Sequence, residues 1–455
     1  MQIRTLTAAI LAAFATLPAH AADDTAALRA RLEVMEQQMQ QLKAELVRVN
    51  AKADDANART DALAAHQESA PAFVTQPGRT GGQPEMAAGQ TSFFGYGEIN
   101  YTRPRQDTAQ AQAQADVRRA VIGIGHRFND KLKLISEYEF EHAVTSKDDK
   151  GEAEVEQFYL DYKLNDRMNL KAGLFLMPIG LLNESHEPTH YYGVQRNEVE
   201  TRIIPTTWRE VGVGLYGTLD SGLQYDAGIT TGFSIHKWDP SVGAGSPLAA
   251  VHQEGQLAAA HDLAFYGALH YVGVPGLRFG GGIWSGNSGQ GNAPHLADTG
   301  TPDLSGISSR ITLWNLDATY TLGNLDLRAL YAQGSISQAG AINDALAVSL
   351  PALNPAQNIV TGPVPSKFDG GYVQAAYRLF ERGDLALTPF VRWERYNTQQ
   401  QMPAGYDADP LNNERVITAG ASLFLTHNAV FKADYQKFRA DPTKDRVNLG
   451  LGFAF

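Results

Sequence analysis

From Phe93 onward, apolar and polar side chains alternate with a period of two, segment after segment. In KLKLISEYEFE, Leu132, Leu134, Tyr138 and Phe140 fall on one face, with Lys133, Glu137, Glu139 and Glu141 on the other. In EQFYLDYKL, Phe158, Leu160, Tyr162 and Leu164 stand opposite Gln157, Tyr159, Asp161 and Lys163. GLQYDAGITTGF and NLDLRALYAQ repeat the pattern, which predicts strands with one apolar and one polar face. Sixteen such segments begin near residues 93, 117, 131, 154, 168, 209, 222, 262, 276, 311, 325, 370, 384, 414, 429 and 446.

The connections between them alternate in length. Short turns at 129–130, 165–167, 219–221, 272–276, 323–324, 381–383 and 426–428 interleave with long ones. The long connections run over 102–116, 142–153, 176–207, 234–261, 285–310, 335–368, 397–413 and 439–445. Short turns at one rim and long loops at the other describe a closed transmembrane barrel with both chain ends on the short-turn side. A soluble β-sandwich also has alternating strands, but it does not need sixteen long segments with loops sorted by length. Closure follows because a lipid-facing sheet edge would leave backbone groups unpaired at several kcal/mol each. Tyr101, Phe128, Tyr138, Tyr162, Phe233, Tyr271 and Tyr320 recur near strand ends, as an interfacial aromatic girdle requires. The chain stops on an apolar face, Val447, Leu449, Leu451, Phe453 and Phe455.

The N-terminal fifth follows other rules. Residues 1–21 carry Arg4, an apolar run from Leu6 to Leu17 and the small-x-small end Ala19-His20-Ala21, which predicts a signal peptide. In 22–65, Leu28, Leu32, Met35, Met39, Leu42, Leu46, Val49, Ala53, Ala56, Thr60 and Leu63 keep a four–three spacing. That seam predicts a coiled-coil stalk in the periplasm, and with it an oligomer. Residues 66–91 are rich in Pro, Gly and Gln without periodicity and predict a flexible linker, leaving 92–455 for the barrel. The fold class is therefore all-β: a 16-stranded antiparallel transmembrane β-barrel behind an N-terminal coiled-coil helix. The 455 residues contain no Cys, which removes disulfides, thiolate metal sites and cysteine nucleophiles together. A net charge of −11 argues against a nucleic-acid partner.

One motif points elsewhere. His186-Glu187-Pro188-Thr189-His190 matches H-E-x-x-H, whose zinc chemistry needs both His one turn apart on a helix. Pro188 disfavours that helix, so the match is expected to be a coincidence in a loop, with no protease activity, no metal and no cofactor.

The stretch from Lys171 to Gly217, KAGLFLMPIGLLNESHEPTHYYGVQRNEVETRIIPTTWREVGVGLYG, resembles the corresponding region of the phosphate-selective porin O/P family. The terminal Phe also resembles the signal read by the outer-membrane barrel assembly machinery. The family resemblance implies an outer-membrane porin, a homotrimer in lipid, whose third long loop folds into the channel. It places 176–207 at the constriction and His186, Glu187 and His190 upon it. The heptad stalk resembles that of dicarboxylate-type porins, which keeps small organic acids open as solutes. By lumen-facing parity and position on the loop, the selectivity candidates are Arg119, Arg127, Lys171, Arg196, Arg202, Arg209 and Arg392. Lys133, Lys163, Arg278, Arg328 and Lys432 share that parity. A phosphate-selective channel would carry a ladder of Arg through its constriction. Over 176–217, however, five Glu face three Arg, so the expectation is only a mild anion preference. Two further classes stand beside the passive channel: a barrel hydrolase, for which no Ser/His/carboxylate set stands out, and a tether anchored by the barrel. Eight strands suffice for a filled anchor, so sixteen favour a channel.

Overall fold

The computed structural model describes residues 86–107, 111–146, 149–292, 304, 306–353 and 363–455, together with 37, 40, 41, 43 and 44. The barrel opens with β1 (Thr91–Pro104), β2 (Gln114–Arg127), β3 (Leu132–Glu141), β4 (Ala153–Asn165), β5 (Met168–Leu176) and β6 (Arg209–Thr218). It continues through β7 (Leu223–Thr230), β8 (Ala264–Val274), β9 (Leu277–Asn287), β10 (Arg310–Leu322) and β11 (Leu325–Ile336). It closes with β12 (Lys367–Tyr377), β13 (Phe380–Arg382), β14 (Leu385–Gln401), β15 (Asn413–Thr426), β16 (Ala429–Phe438) and β17 (Arg446–Ala454). The three residues of β13 continue β12, since both pair with β14. Sixteen strands therefore span, and each starts within three residues of its predicted position.

Neighbours in the chain are neighbours in the sheet, all antiparallel, and β1 pairs with β17 from Tyr96↔Ala454 to Pro104↔Arg446 to close the ring. Gly95 and Phe455 exchange backbone hydrogen bonds of 3.1 and 2.9 Å, so the last residue leaves no edge. Positive φ at Gly222 (82°) and Gly323 (57°) permits the tight turns between β6 and β7 and between β10 and β11.

The two faces are inverted relative to a soluble protein. Phe158 is 49% exposed and its neighbour Tyr159 only 4%. Val213, Phe265, Leu316, Val373, Trp393, Phe431 and Leu451 point outward, each on a different strand, forming an apolar belt that lipid would cover. Inside lie Glu98, Arg119, Asp226, Arg328, Arg392, Glu394 and Asp434, all buried. One girdle assignment is wrong. Phe233 is fully buried, stacked on Trp208 (ring centroids 5.1 Å apart) and edge-on to Trp284 (4.6 Å). β7 stops at Thr230 and the chain turns inward before Phe233 reaches the interface. In the heptad segment, Gln37, Gln40, Gln41, Lys43 and Ala44 are helical and exposed. The signal peptide, the seam residues and most of the linker lie outside the described residues.

Candidate functional site

Residues 177–208 connect β5 to β6 and fold into the barrel. Asn183 ties the neck: its Nδ2 donates to the carbonyls of Met177 and Trp208 (both 2.8 Å), and its Oδ1 accepts from the Trp208 N–H (2.7 Å). Beyond the neck the loop has almost no regular structure except one helical turn, Val199–Arg202. Its backbone groups must find partners elsewhere, and the barrel wall supplies them. Arg328 on β11 donates to the His190 carbonyl (3.0 Å), Ser422 on β15 to that of Tyr192 (2.8 Å), and Lys432 on β16 to that of Gly193 (2.9 Å). The N–H of Val194 donates to Asp434 on β16 (2.6 Å), and that of Glu198 to Glu394 on β14 (2.7 Å). On the other side of the ring, His186 lies 3.3 Å from Glu156 on β4. Anchors on β4 and on β11, β14, β15 and β16 place the loop across the lumen.

A single carboxylate holds its far end. Glu200 accepts from the N–H groups of Leu181 (2.5 Å) and Leu182 (2.8 Å), from Asn197 (2.8 Å) and from the Tyr372 hydroxyl on β12 (2.9 Å). The loop start, the helical turn and the wall thus meet on one residue.

The selectivity candidates fall into three settings. Arg119 is buried against Glu98, Glu139 and Glu141 at 3.3, 3.0 and 3.5 Å. Lys171 is held by Asp226 (2.6 Å) and lies over the rings of Phe175, Tyr216 and Tyr266. Arg209 pairs with Glu154 (2.5 Å) and Glu254 (3.3 Å), Arg392 with Glu394 (3.0 Å), and Arg202 with Glu198 (2.5 Å). These five are neutralised where they sit. Arg196, on the loop, donates to the Thr206 hydroxyl and to the His186 carbonyl (3.3 Å). Arg127 lies apart, at the short-turn rim, donating to the carbonyls of Met86, Asn129 and Asp130. Of the other bases, Arg278 on β9 shares Asp317 with His270. Arg278, His270, Asp226 and Glu184 line a polar cleft between the loop and the β7–β9 wall.

Glu198 gives the anchorage a pH dependence. Burial pushes its carboxyl up, but Arg202 and Arg446 beside it (2.5 and 3.0 Å) hold it below the usual Glu range. A pKa lowered by folding contributes stability above the unfolded value of about 4.3, and that contribution is lost as acid titrates the folded group. The unfolding midpoint in detergent is expected to fall on acidification below about pH 4, and Glu198→Gln to flatten that slope.

The H-E-x-x-H stretch consists of bends and turns, not a helix. Its two imidazoles diverge: His186 faces the wall, while His190 pairs with Glu187 at 2.9 Å and contacts the Ser185 hydroxyl at 3.0 Å. Sequence parity missed Glu156, Tyr372, Glu394 and Asp434 as anchors. The signal was faint: polar residues at inward positions mark a wet lumen and a loop-binding wall equally.

Residues 94–227 match the family described as phosphate-selective porin O and P. The chain is porin-like. An uncharacterized protein of Aquifex aeolicus (strain VF5) is 29% identical over 358 residues, covering 78% of this chain and 77% of that one. Among solved structures, the porin-like barrel is similar to Salmonella typhi OmpF in complex with daunomycin. There the TM-score is 0.54 at 14% identity, over 81% of this chain and 98% of that one. The outer membrane channel DcaP of Acinetobacter baumannii aligns at TM-score 0.49 and 12% identity, over 82% and 99% of the two chains. The matched family segment runs from β1 into β7 and contains the whole 177–208 loop of this porin-like chain.

Proposed function

We propose that this protein passes small hydrophilic solutes through the outer membrane by passive diffusion, with a mild preference for anions and no tight phosphate site. The observation that carries this reading is the loop of 177–208, laid across a polar lumen whose bases are mostly matched by acids. A tight anion site would have to break pairs such as Arg392–Glu394 or Lys171–Asp226, both buried. A diffusing anion needs only the residual field, stronger than in bulk because the effective dielectric falls from about 80 toward about 20.

Replacing Arg196, Arg202 and Arg209 together by Gln removes three positive charges and takes Arg209 from Glu154 and Glu254 and Arg202 from Glu198, which keeps Arg446. The reversal potential in a salt gradient is expected to move toward cation selectivity, with conductance of the same order. Heat-modifiable migration in gels serves as the check on folding. An unchanged reversal potential would contradict the anion preference.

The oligomer we propose is a homotrimer in outer-membrane lipid, to which the heptad stalk contributes. Deleting residues 23–65 is expected to leave folded barrels that associate more weakly in mild detergent. A monomeric full-length protein would count against the assembly.

A further inference from the structure

Where the constriction loop meets the wall on the β3–β4 side, the ladder between those strands is irregular. Glu137 pairs with Gln157 and Tyr138 with Val155, so Glu156 is the extra residue of a β-bulge. A bulge re-aims side chains, and here Glu156 and Gln157 both turn inward, 0% and 1% exposed. His186 comes down from the loop onto Glu156. Its Nδ1 lies 2.9 Å from the Asn183 carbonyl, which can only accept, so Nδ1 carries a proton. That bond fixes the ring and leaves Nε2 aimed at Glu156 Oε1, 3.3 Å away. Neither atom has a hydrogen bond, although both are fully buried. Glu137 completes the group: one ligand atom from each of Glu137, Glu156 and His186 lies within 4.8 Å of the others. Gln157 donates to the second oxygen of Glu137 at 2.6 Å and steadies that carboxylate.

We propose that Glu137, Glu156 and His186 bind a divalent transition-metal cation, of which zinc is the natural probe. Two carboxylates this close and this dry call for a positive charge between them, and neither has Lys or Arg at ion-pair distance among the described residues. The nearby guanidiniums are engaged elsewhere: Arg119 with Glu98, Glu139 and Glu141, Arg209 with Glu154 and Glu254, and Arg196 with Thr206. An imidazole nitrogen with two carboxylate oxygens suits zinc, and a backbone carbonyl on the far ring nitrogen is the usual orienting partner of a ligating His. Bonds of about 2.0–2.2 Å around a tetrahedral centre place neighbouring ligand atoms about 3.3–3.5 Å apart, which matches Nε2 and Oε1. The ion would rivet the constriction loop to β3 and β4. This is not protease chemistry, because His190 and Glu187 take no part.

The full-length protein in detergent, stripped with EDTA and reloaded with zinc chloride, is expected to retain one zinc per chain after desalting. His186→Gln and Glu156→Gln should each lose it, Gln157→Leu should bind about 10–100-fold more weakly, and His190→Ala should keep it. Zinc-edge absorption of the loaded wild type should show one imidazole and two carboxylates, which tests the site even where a variant fails to fold. A wild type that retains no zinc overturns the proposal and leaves His186 as an imidazolium paired with Glu156. Zinc that persists undiminished in His186→Gln overturns it equally.

Discussion

Glu200→Ala is expected to release the constriction loop and raise single-channel conductance several-fold while the barrel stays folded. Glu200 is 3% exposed and accepts four hydrogen bonds that join the loop start, the helical turn and β12. A hydrogen bond to a charged acceptor contributes about 1.5–3 kcal/mol, and its loss here also strands buried donors on Leu181, Leu182, Asn197 and Tyr372. No other residue of the loop gathers as many partners at one carboxylate. The wall does not depend on these bonds, because its sixteen spanning strands pair with one another right round the ring. Glu200→Gln should be intermediate, since its amide nitrogen would face a donor where an oxygen accepted. Planar-bilayer recording decides it. Wild-type conductance in Glu200→Ala would mean that the loop is held by its other anchors alone.

Arg119→Met should have the largest effect on stability. It leaves Glu98, Glu139 and Glu141 without the guanidinium that faces all three across β1, β2 and β3. Breaking a buried ion pair from one side costs about 3–5 kcal/mol, because the abandoned charge cannot reach water. The unfolding midpoint in detergent should drop accordingly. Neutralising the partners as well, in Arg119→Met with Glu98→Gln and Glu139→Gln, should restore most of the loss. A single variant as stable as wild type would show that water reaches this corner of the lumen.

These effects divide along what alternation can and cannot reveal. Phe158 outside and Tyr159 inside follow from a strict period of two, and so do the strand starts, while closure follows from the cost of an unpaired edge in lipid. The same rule fails at Glu156. Parity that sends Phe158 to lipid would send Glu156 there too, and a charge at that depth is costly, so the strand has to slip by one residue. That conflict is visible in the letters, but only to a reader who follows charges as well as apolar residues. The partners of the loop were not legible at all. Glu200 meeting Tyr372, or Asp434 meeting Val194, joins residues more than 150 apart through a segment with hardly any regular structure. Nor could parity separate Arg127 at the rim from Arg119 in the lumen, since both alternate correctly and differ only in depth.

The central claim is that the 177–208 loop narrows a conducting channel, and one recording tests it directly. The chain has no Cys, so Glu184→Cys, in the cleft between the loop and the β7–β9 wall, is its only thiol. A bulky cationic methanethiosulfonate added during single-channel recording should lower the conductance in discrete steps and shift selectivity toward anions. Wild-type channels should ignore it. Full labelling with no change in current would contradict the claim, because the loop would then lie off the path that solutes take.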